Sequence, residues 1–205
     1  MAAGPIEFFF DLASPWSYLA STQMPGIEER TGLAVRWRPL LLGGVWKLTG
    51  ARSPVEHWTE NRRRYQDVDF AAWIEHYGIP FRKPSHFPPN TLIAMRGALA
   101  AERLGRLVHY VHAGFRAYMV EDGNISLPEV VLAVAGRAGL DRATFEALLH
   151  DPPVKDALRA NTEEAVARGA FGVPTFFWNG RMFFGNDRLA LMEAFIRNEK
   201  ERQTT

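Results

Sequence analysis

The sequence predicts an α/β protein in which a βαβ unit and a ββα unit are separated by a long helical segment. Three observations support this: an apolar run from Ile6 to Leu12, helical periodicity over residues 43–169, and a hairpin signal at Asn179-Gly180. The length of 205 residues fits one large domain or a domain with an insertion. We therefore assign residues 1–42 and 170–205 to the α/β domain and the residues between them to an all-helical insertion.

The N-terminal segment has the pattern of a βαβ unit. Ile6 to Leu12 contains three phenylalanines, as expected of a strand that is buried on both faces. Ser14-Pro15 suits a helix start, because Ser is a good N-cap and Pro loses no hydrogen bond in the first turn. We expect Pro25-Gly26 to kink or split this helix. The alternation from Leu33 to Arg38 predicts a second strand, and this order implies a parallel pair with a right-handed crossover.

The rest of the chain is helical until a hairpin near the C-terminus. Apolar residues from Phe70 to Tyr77 follow helical spacing. Asn90 is expected to cap a later helix, and Ser126 to Glu129 has the form of a capping box. The strand pattern returns from Val173 to Phe184, where an Asn-Gly pair supplies the positive φ angles of a type I′ turn. A last helix is expected to begin near Asn186-Asp187.

The composition excludes several classes of protein. The chain has no Cys, which excludes disulfides, thiolate metal sites and a Cys nucleophile. A net charge of +1 favours neither nucleic acid nor a membrane surface as a partner. Met1 to Pro5 lacks the charged and apolar regions of a signal peptide, so we expect a cytoplasmic protein. His109 and His112 share a helix face but have no third ligand at a suitable spacing, so we expect no metal.

The first candidate site is Ser14 at the start of the first helix. A helix N-terminus carries unpaired N–H groups and about half a positive charge, so it stabilises anions. A free thiol has a pKa of about 8.5 and is mostly protonated at neutral pH. The Ser14 hydroxyl and the helix end together could hold the sulfur of a ligand as a thiolate. The alternative is that Ser14 is only an N-cap.

The second candidate site is the segment from Phe171 to Phe177, which contains Val173-Pro174. A Pro that opens a strand belongs at a sheet edge or in a special turn. A cis bond between Val173 and Pro174 would expose the N–H and C=O of Val173 to a peptide laid alongside. Cis is the minority state, at about 5% of X-Pro bonds in folded proteins. The alternative is an ordinary proline at the start of a strand.

Five motifs occur in order along the chain: Phe9–Ala20, Leu42–Lys47, Tyr77–Phe81, Phe171–Thr175 and Phe184–Leu189. They resemble those of the 2-hydroxychromene-2-carboxylate isomerase family, which is related to kappa-class glutathione transferases and to periplasmic disulfide oxidases. Together they cover essentially the whole chain. In thioredoxin-like redox proteins, Cys-X-X-Cys occupies the position of Ser14-Pro15-Trp16-Ser17, so a site here can bind a thiol but cannot exchange disulfides.

The resemblance implies a thioredoxin-like fold with a helical insertion, a homodimer, and glutathione as the cofactor. Ser14 matches the residue that contacts the glutathione sulfur, and Val173 matches the residue that pairs with the glutathione backbone. Phe184, Gly185, Asn186 and Asp187 match the stretch that holds the γ-glutamyl end. Helix-start N–H groups there can bind a carboxylate and Asp187 an ammonium, although Asp187 can also be a simple N-cap. The chain departs from the family at Ala51, where the family commonly has an Asn that contacts glutathione.

Three further residues are candidates for contacts to the substrate or to the cofactor. Lys47 matches a basic residue near a glutathione or substrate carboxylate; the alternative is a solvated surface lysine. Trp46 and Phe87 are candidates for an aromatic wall of the substrate site, as is Trp178. The alternative for each of these aromatic residues is packing in the core.

The resemblance implies a glutathione-dependent isomerase that acts on a small aromatic ene-pyruvate. Reversible addition of the thiolate, held by Ser14, would permit cis-trans isomerisation. Two alternatives remain open: a kappa-type glutathione transferase that conjugates electrophiles, and a non-catalytic module that binds a thiol or a peptide by strand addition. The absence of Cys excludes a disulfide oxidoreductase.

Overall fold

The computed structural model describes residues 4–53 and 57–204, and residues 1–3, which enter the prediction of location, lie outside this part. Within it, four strands form one sheet in the order β2-β1-β3-β4. Strands β1 and β2 are parallel, whereas β1–β3 and β3–β4 are antiparallel. The predicted α/β class, the parallel pairing of the first two strands and the pairing of the last two strands are therefore confirmed. The strands are β1 (Ile6–Phe10), β2 (Val35–Pro39), β3 (Thr175–Trp178) and β4 (Arg181–Phe184).

Helices connect β2 to β3 and close the chain, as the pattern of apolar residues predicts. A 3-10 turn (Asn186–Arg188) links β4 to the last helix. The division into a thioredoxin-like domain and an insertion over residues 43–169 stays a prediction. The helices of the described part are α1 (Pro15–Thr31), α2 (Leu42–Thr49), α3 (Glu60–Tyr77), α4 (Leu92–Arg103), α5 (Leu107–Met119), α6 (Pro128–Arg137), α7 (Arg142–His150), α8 (Pro152–Ala167) and α9 (Leu189–Thr204).

Three local predictions about helix ends and breaks are wrong. Helix α1 runs through Pro25 as one helix, so the predicted split at Pro25-Gly26 is wrong. Helix α6 has Leu127 as its N-cap, with no side-chain cap, because the Ser126 hydroxyl accepts the N–H of Asn90 at 2.9 Å instead. The N-cap of α4 is Thr91, although the Asn90 side chain accepts the N–H of Leu92 at 3.1 Å. The predicted hairpin is confirmed, with positive φ at both turn residues.

Strand β1 is buried on both faces, as its run of phenylalanines predicts. Phe8 stacks on Phe176 with ring centroids 5.0 Å apart and lies in the larger core cluster with helices α4 and α5. Phe9 points to the opposite face, where it joins a smaller cluster with residues of α2 and α8. Helices therefore cover the sheet on both sides. The carboxyl end of β1, followed at once by α1, is held between these two layers.

An ion-pair network lies on the Phe9 face of the sheet. Arg38, which is 7% exposed, donates to Glu7 at 2.8 Å and also pairs with Glu164. Arg168 pairs with the same two carboxylates, at 2.6 Å to Glu7 and 2.9 Å to Glu164. The guanidinium of Arg38 lies 4.9 Å from the ring centroid of Phe9. The network therefore joins β1, β2 and α8 on this face of the sheet.

Candidate functional site

At the start of α1, the backbone N–H groups of Ser14 and Ser17 are both hydrogen-bonded. The N–H of Ser14 donates to the Asp11 carbonyl at 3.0 Å, and the Ser14 hydroxyl accepts the N–H of Ser17 at 3.1 Å. Ser14 is thus the N-cap, as predicted, and Pro15 occupies the first turn without a donor. The N–H of Trp16 is left as the donor at the helix tip, where the helix dipole is positive. The helix tip therefore offers a donor and a positive dipole end to an anion, and an anion site here stays a prediction.

The two candidate sites of the sequence meet in space. The Ser14 hydroxyl lies 3.5 Å from the carbonyl oxygen of Val173, toward which it donates. The Val173–Pro174 peptide bond is cis, as the resemblance implies. The contact of 3.5 Å is long for a hydroxyl donor, whose usual range is about 2.5–3.0 Å. The Ser14 proton can therefore turn to a better acceptor brought by a ligand.

The segment after β4 lies beside Pro174, so a third group of predicted residues joins the other two. The N–H of Gly185 donates to the Pro174 carbonyl at 3.0 Å. Asn186 is 2% exposed, and its side-chain oxygen accepts the hydroxyl of Tyr77 at 3.3 Å. Its side-chain nitrogen is buried and has no partner within the described residues. A buried unpaired amide is costly, so this nitrogen is a donor suited to a ligand.

Phe184 and Asp187 flank this segment at the surface. Phe184 is 38% exposed and lies 4.3 Å, centroid to centroid, from the ring of Phe171. Asp187 is exposed and accepts from Arg188 at 2.8 Å. Both are accessible to a ligand that crosses from Val173 toward the 3-10 turn.

Gly185 has a backbone conformation that a residue with a Cβ adopts only with strain. Its φ is +104°, and a Cβ there would lie 2.5 Å from the Asp187 carboxylate oxygen. We expect Gly185→Ala to cost about 1–3 kcal/mol of stability and to weaken ligand binding. Urea unfolding and titration calorimetry measure the two effects. Gly43→Ala, with no atom within 4 Å of its Cβ, is the control, and equal behaviour of the two variants would contradict this role of Gly185.

Helix α2 carries two of the predicted residues but does not bring them into contact with Ser14. Lys47 is exposed and makes no ion pair with a described residue, and Trp46 is half-buried. The start of the helix is close to the site, because the N–H of Leu42 donates to the Asp11 carboxylate at 2.8 Å. Ala51 lies exposed in the loop that follows α2.

Two aromatic candidates lie elsewhere. Trp178 is 1% exposed and belongs to the core, so it does not line a site. Core packing, the alternative considered for this residue, is correct. Phe87 is 42% exposed, on the loop between α3 and α4, and no ring contact or hydrogen bond of the described residues joins it to Ser14. Its neighbour His86 accepts the Tyr118 hydroxyl at 3.2 Å, which attaches this loop to α5.

An aromatic cluster beside the helix tip was missed by the sequence reasoning. Trp16, two residues after Ser14, lies 5.4 Å from the ring of Phe70 on α3, and Phe70 lies 4.7 Å from Phe81. All three rings are partly exposed. Helical spacing assigned Trp16 and Phe70 to their helices. The residues adjacent to them in sequence did not indicate that the two helices are in contact at this point.

Asp11 is the second residue that the sequence reasoning missed. It is fully buried, and its carboxylate accepts the N–H of Ala13 at 2.9 Å, the N–H of Leu42 at 2.8 Å and the hydroxyl of Thr91 at 3.1 Å. Burial raises the pKa of this carboxyl, and the three hydrogen bonds oppose that rise. The sequence did contain a sign of this role, because Asp11 is an acidic residue within a mostly apolar run.

The described residues contain neither a metal site nor a membrane-spanning helix. No group of three or more His, Cys, Asp or Glu side chains there is arranged to hold a metal ion. No helix in that part of the chain is both long and apolar enough to cross a membrane. His112 packs against Trp37 at 5.4 Å between ring centroids, and burial lowers the pKa of this histidine.

Comparisons with known proteins agree with this geometry. The model of the DSBA-like thioredoxin domain matches residues 5–197, which is the class that the sheet order and the helix tip define. A 2-hydroxychromene-2-carboxylate isomerase of Pseudomonas putida is 30% identical, over 92% of each chain. Glutathione S-transferase kappa 1 of Homo sapiens is 29% identical, over 95% of this chain and 91% of the relative. A solved structure of 2-hydroxychromene-2-carboxylate isomerase superposes with a TM-score of 0.86 at 29% identity, over 97% of both chains.

The chain therefore belongs to the 2-hydroxychromene-2-carboxylate isomerase family of DSBA-like thioredoxin-domain enzymes. The thioredoxin-like fold with helices inserted between β2 and β3, expected from the resemblance, is confirmed. Its position in a family of isomerases is likewise confirmed.

Proposed function

We propose that this chain is a glutathione-dependent isomerase that interconverts the cis and trans forms of a small aromatic ene-pyruvate. The observation that carries the proposal is the contact between Ser14 and Val173 at the tip of α1, in a chain without Cys. A thiol needed there must come from a ligand. The relatives named above include an isomerase and a glutathione transferase, which is consistent with a thiol cofactor.

The residues present fit glutathione. The free N–H of Trp16, the helix dipole and the weakly held Ser14 hydroxyl suit a thiolate. The backbone of Val173, beside the cis bond, suits an extended tripeptide. The buried, unpaired nitrogen of Asn186 suits a carboxylate, and Asp187 suits an ammonium group.

When bound, glutathione supplies a thiolate that adds reversibly to a conjugated double bond, which permits rotation before the thiolate leaves. The chain's own contribution is to bind and orient. Ser14 donates a hydrogen bond that favours the ionised form of the thiol, as does the N–H of Trp16. Ser14 itself need not be a covalent nucleophile, because no basic side chain of the described residues contacts its hydroxyl to activate it.

The aromatic substrate is proposed to lie against the cluster of Trp16, Phe70 and Phe81, with its double bond above Ser14. Aromatic rings that meet edge to face at about 5 Å provide a surface on which another ring packs well. Trp46 and Phe87 stay candidates for the outer wall of this site. Lys47, exposed and without an ion pair among the described residues, stays the candidate partner of a substrate or glutathione carboxylate.

The test has two steps, which separate the three functions. Titration calorimetry with glutathione first shows whether the chain binds the tripeptide. An aromatic ene-pyruvate is then incubated with the chain and glutathione, and the product is analysed by mass spectrometry. We expect binding and an isomer without sulfur. A stable sulfur adduct would establish a kappa-type transferase, binding without turnover would establish a binding module, and no binding would overturn the proposal.

The proposal includes a homodimer that pairs along β4. This strand ends the sheet, so its outer edge is unpaired among the described residues, and such edges are usually protected. Antiparallel self-pairing centred on Phe183 would set Met182 against Phe184 of the second copy and Arg181 near the segment that carries Asp187. A monomer in sedimentation velocity at micromolar concentration would contradict it. Exposed apolar side chains flank this edge: Phe171, Met182, Phe184, Leu191 and Phe195.

A cytoplasmic location and a role in the breakdown of aromatic compounds complete the proposal. They agree with a chain that has no Cys and with the isomerase relatives. Cell fractionation tests the first, and growth of a deletion strain on aromatic carbon sources tests the second; recovery of the chain in the membrane fraction or unimpaired growth would contradict them.

A further inference from the structure

Asp11 is a buried carboxylate without a cation. It is 0% exposed, and no Lys, Arg or His of the described residues forms an ion pair with it. Its charge is instead satisfied by three donors, one each from the turn before α1, the start of α2 and the start of α4. Burying a carboxylate without a partner cation costs free energy, so its presence calls for a functional explanation.

The three donors belong to parts of the chain far apart in sequence. Ala13 immediately precedes Ser14, Leu42 is the first residue of α2, and Thr91 is the N-cap of α4. The Thr91 hydroxyl makes no cap hydrogen bond with its own helix, and it donates to Asp11. The N-termini of two helices thus converge on one carboxylate, and both dipoles favour its negative charge.

The same residue also holds Ser14 through its backbone. The carbonyl oxygen of Asp11 accepts the N–H of Ser14 at 3.0 Å, while one carboxylate oxygen accepts the N–H of Ala13. The turn that delivers the Ser14 hydroxyl is therefore fixed at both ends by one residue. The other carboxylate oxygen joins this turn to α2, the helix that carries Trp46 and Lys47.

We propose that Asp11 is a positioning residue for the thiol site, which holds the tip of α1 at a fixed distance from the starts of α2 and α4. Asp11 itself contacts no reacting atom. This inference rests on the proposed function, because the position that it sets is that of the bound glutathione sulfur.

The arrangement needs an acceptor oxygen toward each of the two backbone donors, and a carboxyl group supplies both. In Asp11→Asn, the amide nitrogen would replace one acceptor. It would face either the N–H of Ala13 or the N–H of Leu42, and either backbone donor would be left buried and unpaired. The shape of the side chain is retained, so the fold is expected to survive with lower stability.

The experiment compares Asp11→Asn with two control variants. Thr91→Val removes one of the three donors and keeps the charge. Asp141→Asn changes a carboxylate that accepts the N–H of Thr144 at the start of α7, in an exposed position far along the chain from Ser14. Each variant is measured for glutathione affinity by calorimetry, for the pKa of the bound thiol by the ultraviolet absorbance of the thiolate, and for hydrogen exchange at Ala13 and Leu42.

In Asp11→Asn, we expect glutathione to bind about tenfold more weakly, because a displaced helix tip no longer meets the sulfur. The pKa of the bound thiol is expected to rise toward that of free glutathione, and exchange at Ala13 and Leu42 to become faster. Thr91→Val is expected to show a smaller effect of the same kind. Asp141→Asn is expected to change none of these quantities.

Two outcomes would overturn the inference while leaving the proposed function intact. The first is a loss of stability in Asp11→Asn with unchanged affinity and thiol pKa, which would make Asp11 purely structural. The second is a fall in the thiol pKa, which would show that the charge of Asp11 acts on the sulfur and not through position. If the unaltered chain binds no glutathione, this result contradicts the proposed function. It then also contradicts the role of Asp11, because that role depends on the proposed function.

Discussion

Ser14→Ala is expected to lose about 100-fold or more of the isomerase turnover while keeping its fold. Removal of one hydrogen-bond donor to a developing or bound anion commonly costs about 100-fold to 1,000-fold in rate. Here the lost donor is the hydroxyl that lies 3.5 Å from the Val173 carbonyl and can turn to the bound sulfur. The N–H of Trp16 and the helix dipole remain, so a residual activity is expected. Steady-state kinetics with saturating glutathione measures the loss.

The stability of this variant must be measured beside its activity, because Ser14 is also an N-cap. Loss of the hydrogen bond from the N–H of Ser17 is expected to cost about 1 kcal/mol. Asp141→Ala is the matched control, since it removes the N-cap of α7, which accepts the N–H of Thr144 at 2.9 Å. We expect both variants to unfold at lower denaturant concentration and only Ser14→Ala to lose turnover. Normal turnover in Ser14→Ala would remove this hydroxyl from the mechanism.

Helix starts and turns around this site could be predicted where residues adjacent in sequence determine them. Ser14-Pro15 after an apolar run defines a helix start whatever the rest of the chain does, and α1 begins there. The Asn-Gly pair likewise forces a tight turn between β3 and β4 through positive φ angles. The meeting of Ser14 with Val173 followed from the order of these units in a thioredoxin-like fold, not from either segment alone.

The parts of the site that were missed depend on contacts between distant residues. Tyr77 reaches Asn186 across 109 positions, and Phe70 reaches Trp16 across the interface of α3 with α1. Periodicity assigns such residues to a helix face but does not say what that face meets. For the same reason Trp178 was left open between core and site.

One failed prediction shows how a tertiary contact overrides a local motif. Ser126 and Glu129 have the spacing of a capping box, yet the Ser126 hydroxyl accepts the N–H of Asn90. The helix then begins at Pro128 without a side-chain cap. A capping bond contributes only about 1 kcal/mol, so satisfying a distant backbone donor competes with it successfully.

The ion-pair network on the Phe9 face supports a second large expected effect. Arg38→Met is expected to lower the free energy of unfolding by about 3 kcal/mol. The substitution keeps an apolar chain beside Phe9 but removes the cation that Glu7 contacts at 2.8 Å in a largely buried position. Arg168 still pairs with Glu7, which places the expected loss at the lower end of the range for broken buried pairs. Urea unfolding measures the change.

The control for this variant is an ion pair of the same chemistry at the surface. Arg64 pairs with Glu60 at 2.7 Å, and the two side chains are 72% and 83% exposed. Solvent screens such a pair, so Arg64→Met is expected to change the free energy of unfolding by less than about 0.5 kcal/mol. Equal effects of the two variants would show that burial of Arg38 contributes nothing.

The same network makes the free energy of unfolding depend on pH in the acid range. Burial raises the pKa of Glu164, but the hydrogen bonds and charges of Arg38 and Arg168 outweigh this and hold it below its usual value. A carboxyl whose pKa is lowered in the folded state stabilises the fold above its unfolded pKa, and this stabilisation is lost as the pH falls through the folded pKa. Arg38→Met is therefore expected to lose less stability than the unaltered chain between about pH 7 and about pH 3. Parallel loss in the two proteins would mean that other carboxyls govern the acid response, and that the pair with Arg38 does not lower the pKa of Glu164.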